Sequence, residues 1–205
     1  MSYDYVRTEQ GIKLPEEVTF LSEKFGIPER FRHAHLHESV TGDVPDQLRQ
    51  YVVDFPVESV ILAGSTGIGK THYACALVNE LIRIHNATGF TGHYFNTAVH
   101  LPKVLDNRAF KRYDIYASQM AKLENSDVLI LDDLLHVPGA EWAREVLYRI
   151  YEARYASGLR TITTLNANVI TGDDELDWSS ISDIFNDAFM RRVVESAANN
   201  LMVFT

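Results

Sequence analysis

Cysteine is almost missing from this chain. Cys75 is alone among 205 residues. One thiol excludes a disulfide framework within the chain and fits a reducing compartment. Lying in an apolar helical stretch, it reads as a small core residue rather than a nucleophile. Basic charge is also short, with 19 Lys and Arg against 28 Asp and Glu and a formal net charge of −9. That balance excludes a surface coated along its whole length in nucleic acid, while a local basic patch stays open. No apolar run approaches the ~20 residues that span a bilayer. The start, Met1-Ser2-Tyr3-Asp4-Tyr5, has neither the basic nor the apolar region of a secretory signal. Repeats and low-complexity tracts are missing too. These absences lead us to expect a cytoplasmic protein with no membrane partner.

Hydrophobic residues make up 46% of the sequence, enough for one core. We expect one domain over residues 26–205 behind a short polar extension, 1–25, too small for a core of its own.

The most informative stretch is Gly64-Ser65-Thr66-Gly67-Ile68-Gly69-Lys70-Thr71, a complete G-x-x-x-x-G-K-[ST] phosphate loop. Its glycines let the backbone curl so that successive N–H groups face an anion. Lys70 is placed to reach the β- and γ-phosphates, and the Thr71 hydroxyl to ligate Mg²⁺. The flanks suit the motif. Residues 57–63 read as a buried strand, and Ala74, Leu77, Val78, Leu81 and Ile82 repeat at helical spacing, so a helix N-terminus adds its dipole to the anion site.

Further strands are expected at 92–96, 127–131, 161–165 and 201–204. Helices are expected at 46–53, after a cap at Thr97, at 141–156 and at 181–194, with an acidic loop at 171–177. Residues 108–122 are less regular. In the 141–156 helix, Trp142, Val146, Leu147, Ile150 and Tyr151 share one face and Gly158 ends it. Alternating strands and helices predict an α/β fold, a parallel five-stranded sheet between helices, with the ligand at the carboxyl ends of the strands.

The strand Val128-Leu129-Ile130-Leu131 runs into Asp132-Asp133. Asp132 at its tip can hold Mg²⁺ opposite Thr71, and Asp133 can polarise the attacking water. Asp is one methylene shorter than Glu, so slow turnover is expected. Asn166, ending the neighbouring strand, can bond that water or the γ-phosphate, and Thr164 is the nearby alternative. Lys103, Arg108, Lys111 and Arg112 alternate with Phe110, Tyr113 and Tyr116. This mixture can follow a nucleic-acid backbone and stack on bases, or form an ordinary solvated helix. His33, His35 and His37 would share a face only on a strand, so they are a weak metal candidate.

Taken together, Gly26-Ile27-Pro28-Glu29-Arg30-Phe31-Arg32, the phosphate loop, Asp132-Asp133, Arg154-Tyr155 and Thr164-Leu165-Asn166 resemble the AAA+ ATPases of the DnaC-type helicase loaders and IstB-type transposition helpers. The resemblance runs from about Gly26 onward. It implies a P-loop NTPase core with little or no lid, ATP and Mg²⁺ as cofactors, and Ile27 beside the adenine. It implies a homo-oligomer in which Arg192, or else Arg191, serves as an arginine finger for the neighbouring site. Single-stranded DNA and a replicative helicase or transposase are the implied partners, in DNA replication or transposition. About 25 residues ahead of the core cannot supply the loaders' separate helicase-binding domain. Two rivals stay open: a small-molecule P-loop kinase, and a nucleotide-regulated adaptor with negligible hydrolysis.

Overall fold

The computed structural model describes residues 6–8, 11–13, 15–36, 46–54, 58–85, 89–137, 141–166, 169–170, 175–176, 185, 187–197 and 200–204. A small hairpin, β1 (Val6–Thr8) with β2 (Gly11–Lys13), precedes α1 (Glu16–Lys24), a 3₁₀ turn at Glu29–Phe31 and α2 (Asp46–Asp54). The phosphate loop lies between β3 (Val60–Gly64) and α3 (Lys70–His85). Next come β4 (Gly92–Asn96), α4 (Thr97–Ala109), α5 (Tyr113–Asn125), β5 (Val128–Asp132), α6 (Glu141–Ala156) and β6 (Arg160–Asn166). The described chain closes with the hairpin β7 (Val169–Ile170) and β8 (Glu175–Leu176), then α7 (Asp187–Ala197) and β9 (Leu201–Phe204). Among the described residues, no helix is long and apolar enough to cross a membrane.

The main sheet has the order β4-β5-β6-β3-β9, and every pairing is parallel. Parallel strands need crossovers, and helices on both faces bury the strands from either side. All five residues of β3 and of β5 are accordingly buried. Side chains alternate between two cores. Val60, Leu62, Ile130, Ile162 and Met202 face α1, α2 and α3, whereas Ile61, Ala63, Leu129, Leu131 and Leu165 face α4, α5, α6 and α7. Register then sets which residues lie level at the carboxyl end of the sheet. Gly64 is level with Asn166 and Phe204, and Asn96 with Asp132. Leu131 is level with Thr163, so Asp132 falls two residues short of Asn166, and the candidate residues gather at the carboxyl end of the sheet.

Several expectations change. Residues 108–122 are more helical than expected, forming the end of α4 and most of α5 on either side of a break at 110–112, with Phe110 and Arg112 as the flanking caps. Asn96, not Thr97, caps α4, accepting from the Val99 N–H at 3.1 Å. Trp142 is off the buried face of α6 and largely exposed; Ala143 and Arg154 fill that face instead. The acidic stretch contributes a short strand, β8, while the helix expected from 181 is described only from Asp187. Val57 and residues 171–174 lie outside the described residues. Cys75 is buried, and desolvation pushes its thiol pKa up, as a core residue requires.

Val18 and Phe25, ahead of the expected domain start, join the same core as α3. Phe25 lies flat against Gly92 on the edge strand, where a Cβ would collide with its ring. We expect Gly92→Ala to destabilise the fold by about 1–3 kcal/mol, the usual penalty of overpacking. Urea unfolding checks this: an unchanged midpoint would mean that Phe25 is not seated there.

Candidate nucleotide site

The loop between β3 and α3 adopts a cradle conformation. Gly67 and Gly69 take φ of 88° and 98°, in the left-handed region where a side chain is strained. Gly64, at the strand end, is pressed against the Phe204 carbonyl, leaving no room for a Cβ. Ser65, Thr66 and Gly67 are exposed, Ile68 and Gly69 half-buried, and Lys70 buried. The Lys70 ammonium donates to the carbonyls of Gly64 at 2.9 Å and Ser65 at 2.6 Å. Burial lowers its pKa, with Asp133 and Asp132 opposing that shift. The cation thus waits inside the loop, beside the place an anion would occupy.

Asp132 accepts four hydrogen bonds. Its Oδ1 receives the hydroxyls of Thr71 at 2.8 Å and Thr164 at 2.7 Å, and its Oδ2 receives Tyr94 Oη at 2.7 Å and Asn96 Nδ2 at 2.9 Å. Desolvation, then the neighbouring Asp132 charge, push the Tyr94 phenol pKa above its usual range, so it stays a donor. The donor set, hydroxyl and carboxylate oxygens next to a phosphate loop, fits a hard divalent cation such as Mg²⁺.

Asp133 turns out of the sheet with φ 59°, a conformation short polar residues tolerate. Its N–H donates to Thr164 Oγ1 at 2.8 Å, and its carboxylate accepts from Asn166 Nδ2 at 2.6 Å and lies 3.5 Å from His136 Nδ1. Thr164 therefore ties the two acids together, while Asn166, exposed at the strand tip, faces Asp133.

Residues 26–36 cross the same end of the molecule. Ile27 is fully buried in the α3 core, and the half-buried Phe31 stands edge-on to His72 with ring centroids 6.4 Å apart. Asn79, which the sequence did not single out, holds this segment. Its Nδ2 donates to the carbonyls of Phe31 at 3.1 Å, Arg32 at 3.4 Å and Ala34 at 2.9 Å, and its Oδ1 accepts from Ser22 Oγ at 2.5 Å. Tyr94 and Asn96 were likewise unremarked; only their place on the strand beside Asp132 could have flagged them. His33 and His35 lie in a turn rather than on a strand, and His37 is outside the described residues. Among the described residues, no group of three His, Cys, Asp or Glu side chains could hold a metal.

The basic-aromatic residues gather where α4 meets α5. Phe110 and Tyr113 are 68% and 60% exposed, far more than core aromatics would be. Lys111 takes φ 57° at the break, and the Arg112 guanidinium stands 5.8 Å from the Phe110 ring centre. Lys103 and Arg112 are exposed, as is Arg108, which reaches Glu145 at 3.6 Å. On α7, Arg192 is engaged: it donates to Glu152 at 2.6 Å and Glu195 at 3.0 Å, and stacks 4.9 Å over Tyr155. Arg191 beside it is exposed.

Five parallel strands in this order, with the phosphate loop, acids and polar tip at their carboxyl ends, define a P-loop protein of the AAA+ class. The sequence model of the IstB-like ATP binding protein family matches residues 50–196, and the chain belongs to that family. It is 31% identical over 107 residues to the ATP-binding protein of insertion sequence IS1162 from Pseudomonas fluorescens, covering 52% of this chain and 43% of that one. Against the chromosomal replication initiator DnaA of Neisseria meningitidis it is 27% identical over 133 residues, 62% of this chain and 25% of DnaA. The chain thus spans less than half the length of these relatives. The solved DnaC helicase loader superposes with a TM-score of 0.71 at 23% identity, covering 87% of this chain and all of that one, 100%. AMPPCP-bound DnaA from Aquifex aeolicus gives 0.62 at 15%, over 83% of this chain and 49% of DnaA. These structural likenesses establish the fold.

Proposed function

We propose that this protein binds ATP with Mg²⁺, hydrolyses it slowly at a site completed by a second copy, and uses nucleotide state to govern an assembly on single-stranded DNA. A replicative helicase or a transposase is the proposed protein partner. The observation that carries the reading is the meeting of Lys70, Thr71, Asp132, Asp133 and Asn166 at one sheet edge.

Each residue then has a chemical task. The loop amides and Lys70 bind and orient the triphosphate. Thr71 and Asp132 would hold Mg²⁺, which supplies charge neutralisation for phosphoryl transfer. Asp133 takes a proton from the attacking water, and Asn166 fixes its direction. An arginine on α7 of a neighbouring copy stabilises charge on the transferring phosphoryl. Arg192 can do so only on leaving Glu152 and Glu195, whereas Arg191 is already exposed. The exposed Phe110 and Tyr113 among basic groups supports DNA contact through stacking and charge. One structural relative, the replication initiator DnaA, is solved bound to AMPPCP and single-stranded DNA, in keeping with that surface.

ATPase rate against protein concentration, with and without single-stranded DNA, tests the reading. A rate per subunit that rises severalfold with concentration, and again with DNA, is expected, and Arg191→Ala or Arg192→Ala should remove the rise. A measurable but flat rate would refute the shared site. No rate in any condition, with ATP still bound, would favour the adaptor.

A further inference from the structure

Tyr94 has no part in the phosphate-loop chemistry, yet it is tied to both sides of the site. It lies on β4, the edge strand next to the strand of the metal acids, and its ring belongs to the α3 core. The hydroxyl ends on Asp132 Oδ2 at 2.7 Å. The backbone N–H of the same residue, on the free side of the strand, donates to the Phe25 carbonyl at 2.8 Å. Phe25 closes α1 and leads through Gly26 into Ile27 and the turn that Asn79 clamps.

A carboxylate that ligates a cation through one oxygen is oriented by the groups that bond the other. At Asp132 the two oxygens have different partners: Oδ1 receives the hydroxyls of Thr71 and Thr164, on the phosphate-loop side, and Oδ2 receives the Tyr94 hydroxyl and the Asn96 amide. Asn96 also caps α4 through its amide oxygen, so its orientation answers to a second demand. Tyr94 is held by packing, its ring in the core and edge-on to His100 at 6.1 Å, and burial keeps its hydroxyl from exchanging Asp132 for water.

We propose that Tyr94 is a positioning residue for the metal acid, holding the Asp132 carboxylate so that its other oxygen and Thr71 form the Mg²⁺ site, and linking that geometry to the seating of residues 25–32. The inference rests on the Mg-ATP reading above. It concerns which residue sets metal affinity, not whether nucleotide binds.

Tyr94→Phe removes only the hydroxyl and keeps the ring. Binding of a fluorescent ATP analogue is followed while Mg²⁺ is titrated, and separately in EDTA. The Mg²⁺ midpoint should rise about tenfold, the lower end of what loss of an outer-shell partner does to metal affinity, with affinity in EDTA unchanged. Mn²⁺ spin resonance on the nucleotide complex gives the same midpoint without turnover. An unchanged midpoint would overturn the proposal. So would an equal loss in EDTA and Mg²⁺, which would mark Tyr94 as structural only. A wild-type protein that binds no nucleotide in either condition would instead overturn the reading on which the proposal rests.

Discussion

Lys70→Ala is expected to leave a folded protein whose affinity for ATP has dropped at least about a hundredfold. The Lys70 side chain is buried in the loop, and burial already works against its charge. Among the described residues its ammonium bonds two carbonyls, those of Gly64 and Ser65. Removing it deletes a desolvated charge that, among the described residues, forms no direct ion pair and whose attraction to Asp133 and Asp132 is outweighed by its burial, so stability should change little. With a triphosphate in the loop the account differs. One ammonium can then bond oxygens of two phosphates, and a charged hydrogen bond is worth about 1.5–3 kcal/mol. Losing two comes to about 3 kcal/mol or more, and each 1.4 kcal/mol is a factor of about ten. Titration with a fluorescent ATP analogue, alongside a thermal melt, checks both halves. A variant that melts like wild type and binds as tightly would mean that the loop is not a phosphate cradle.

The site was legible in the sequence where its chemistry is local. Eight consecutive residues specify the phosphate loop, and a buried run ending in two acids specifies its partner strand. Parallel topology follows from alternating elements, and it brings Gly64, Asp132 and Asn166 to the carboxyl end of the sheet, within two residues of one level. Residues whose role depends on distant partners were not legible. Asn79 looks like any polar position on a helix until Phe31, Arg32 and Ala34 turn their carbonyls toward it, 45 to 48 positions away. Tyr94 looks like a core aromatic until β4 pairs with β5. The break between α4 and α5 was hidden for another reason: Lys111 takes the left-handed conformation usually left to Gly or Asn, so no local signal marks it. Arg192 was read from the resemblance, and its pairing with Glu152 depends on α6 and α7 packing together.

Arg154→Ala should be the most damaging single change to the fold. Arg154 is 1% exposed, and no carboxylate contacts its guanidinium among the described residues. The group instead organises backbone. Nη1 donates to the carbonyls of Leu123 at 3.0 Å and Ser126 at 2.9 Å, where α5 ends, a position that favours a cation. Nε donates to Thr161 Oγ1 at 2.9 Å, and Nη2 to the Arg160 carbonyl. Burial brings its pKa down to about 10, so it stays charged at neutral pH. One side chain on α6 thus fixes the turn into β5 and the start of β6, the strands that carry Asp132 and Asn166. Alanine would leave a cavity and five acceptors without their donor, since Nη1 also reaches Ser126 Oγ at 3.3 Å. Each unsatisfied buried group costs about 1–3 kcal/mol, but water entering the cavity recovers part, so a net loss of about 4 kcal/mol is expected. For a domain of this size that lowers Tm by about 10 °C. Arg154→Lys should recover only a fraction, because one ammonium cannot span both strands' ends. If the alanine variant melted within about 2 °C of wild type, Arg154 would not be the pin between these strands.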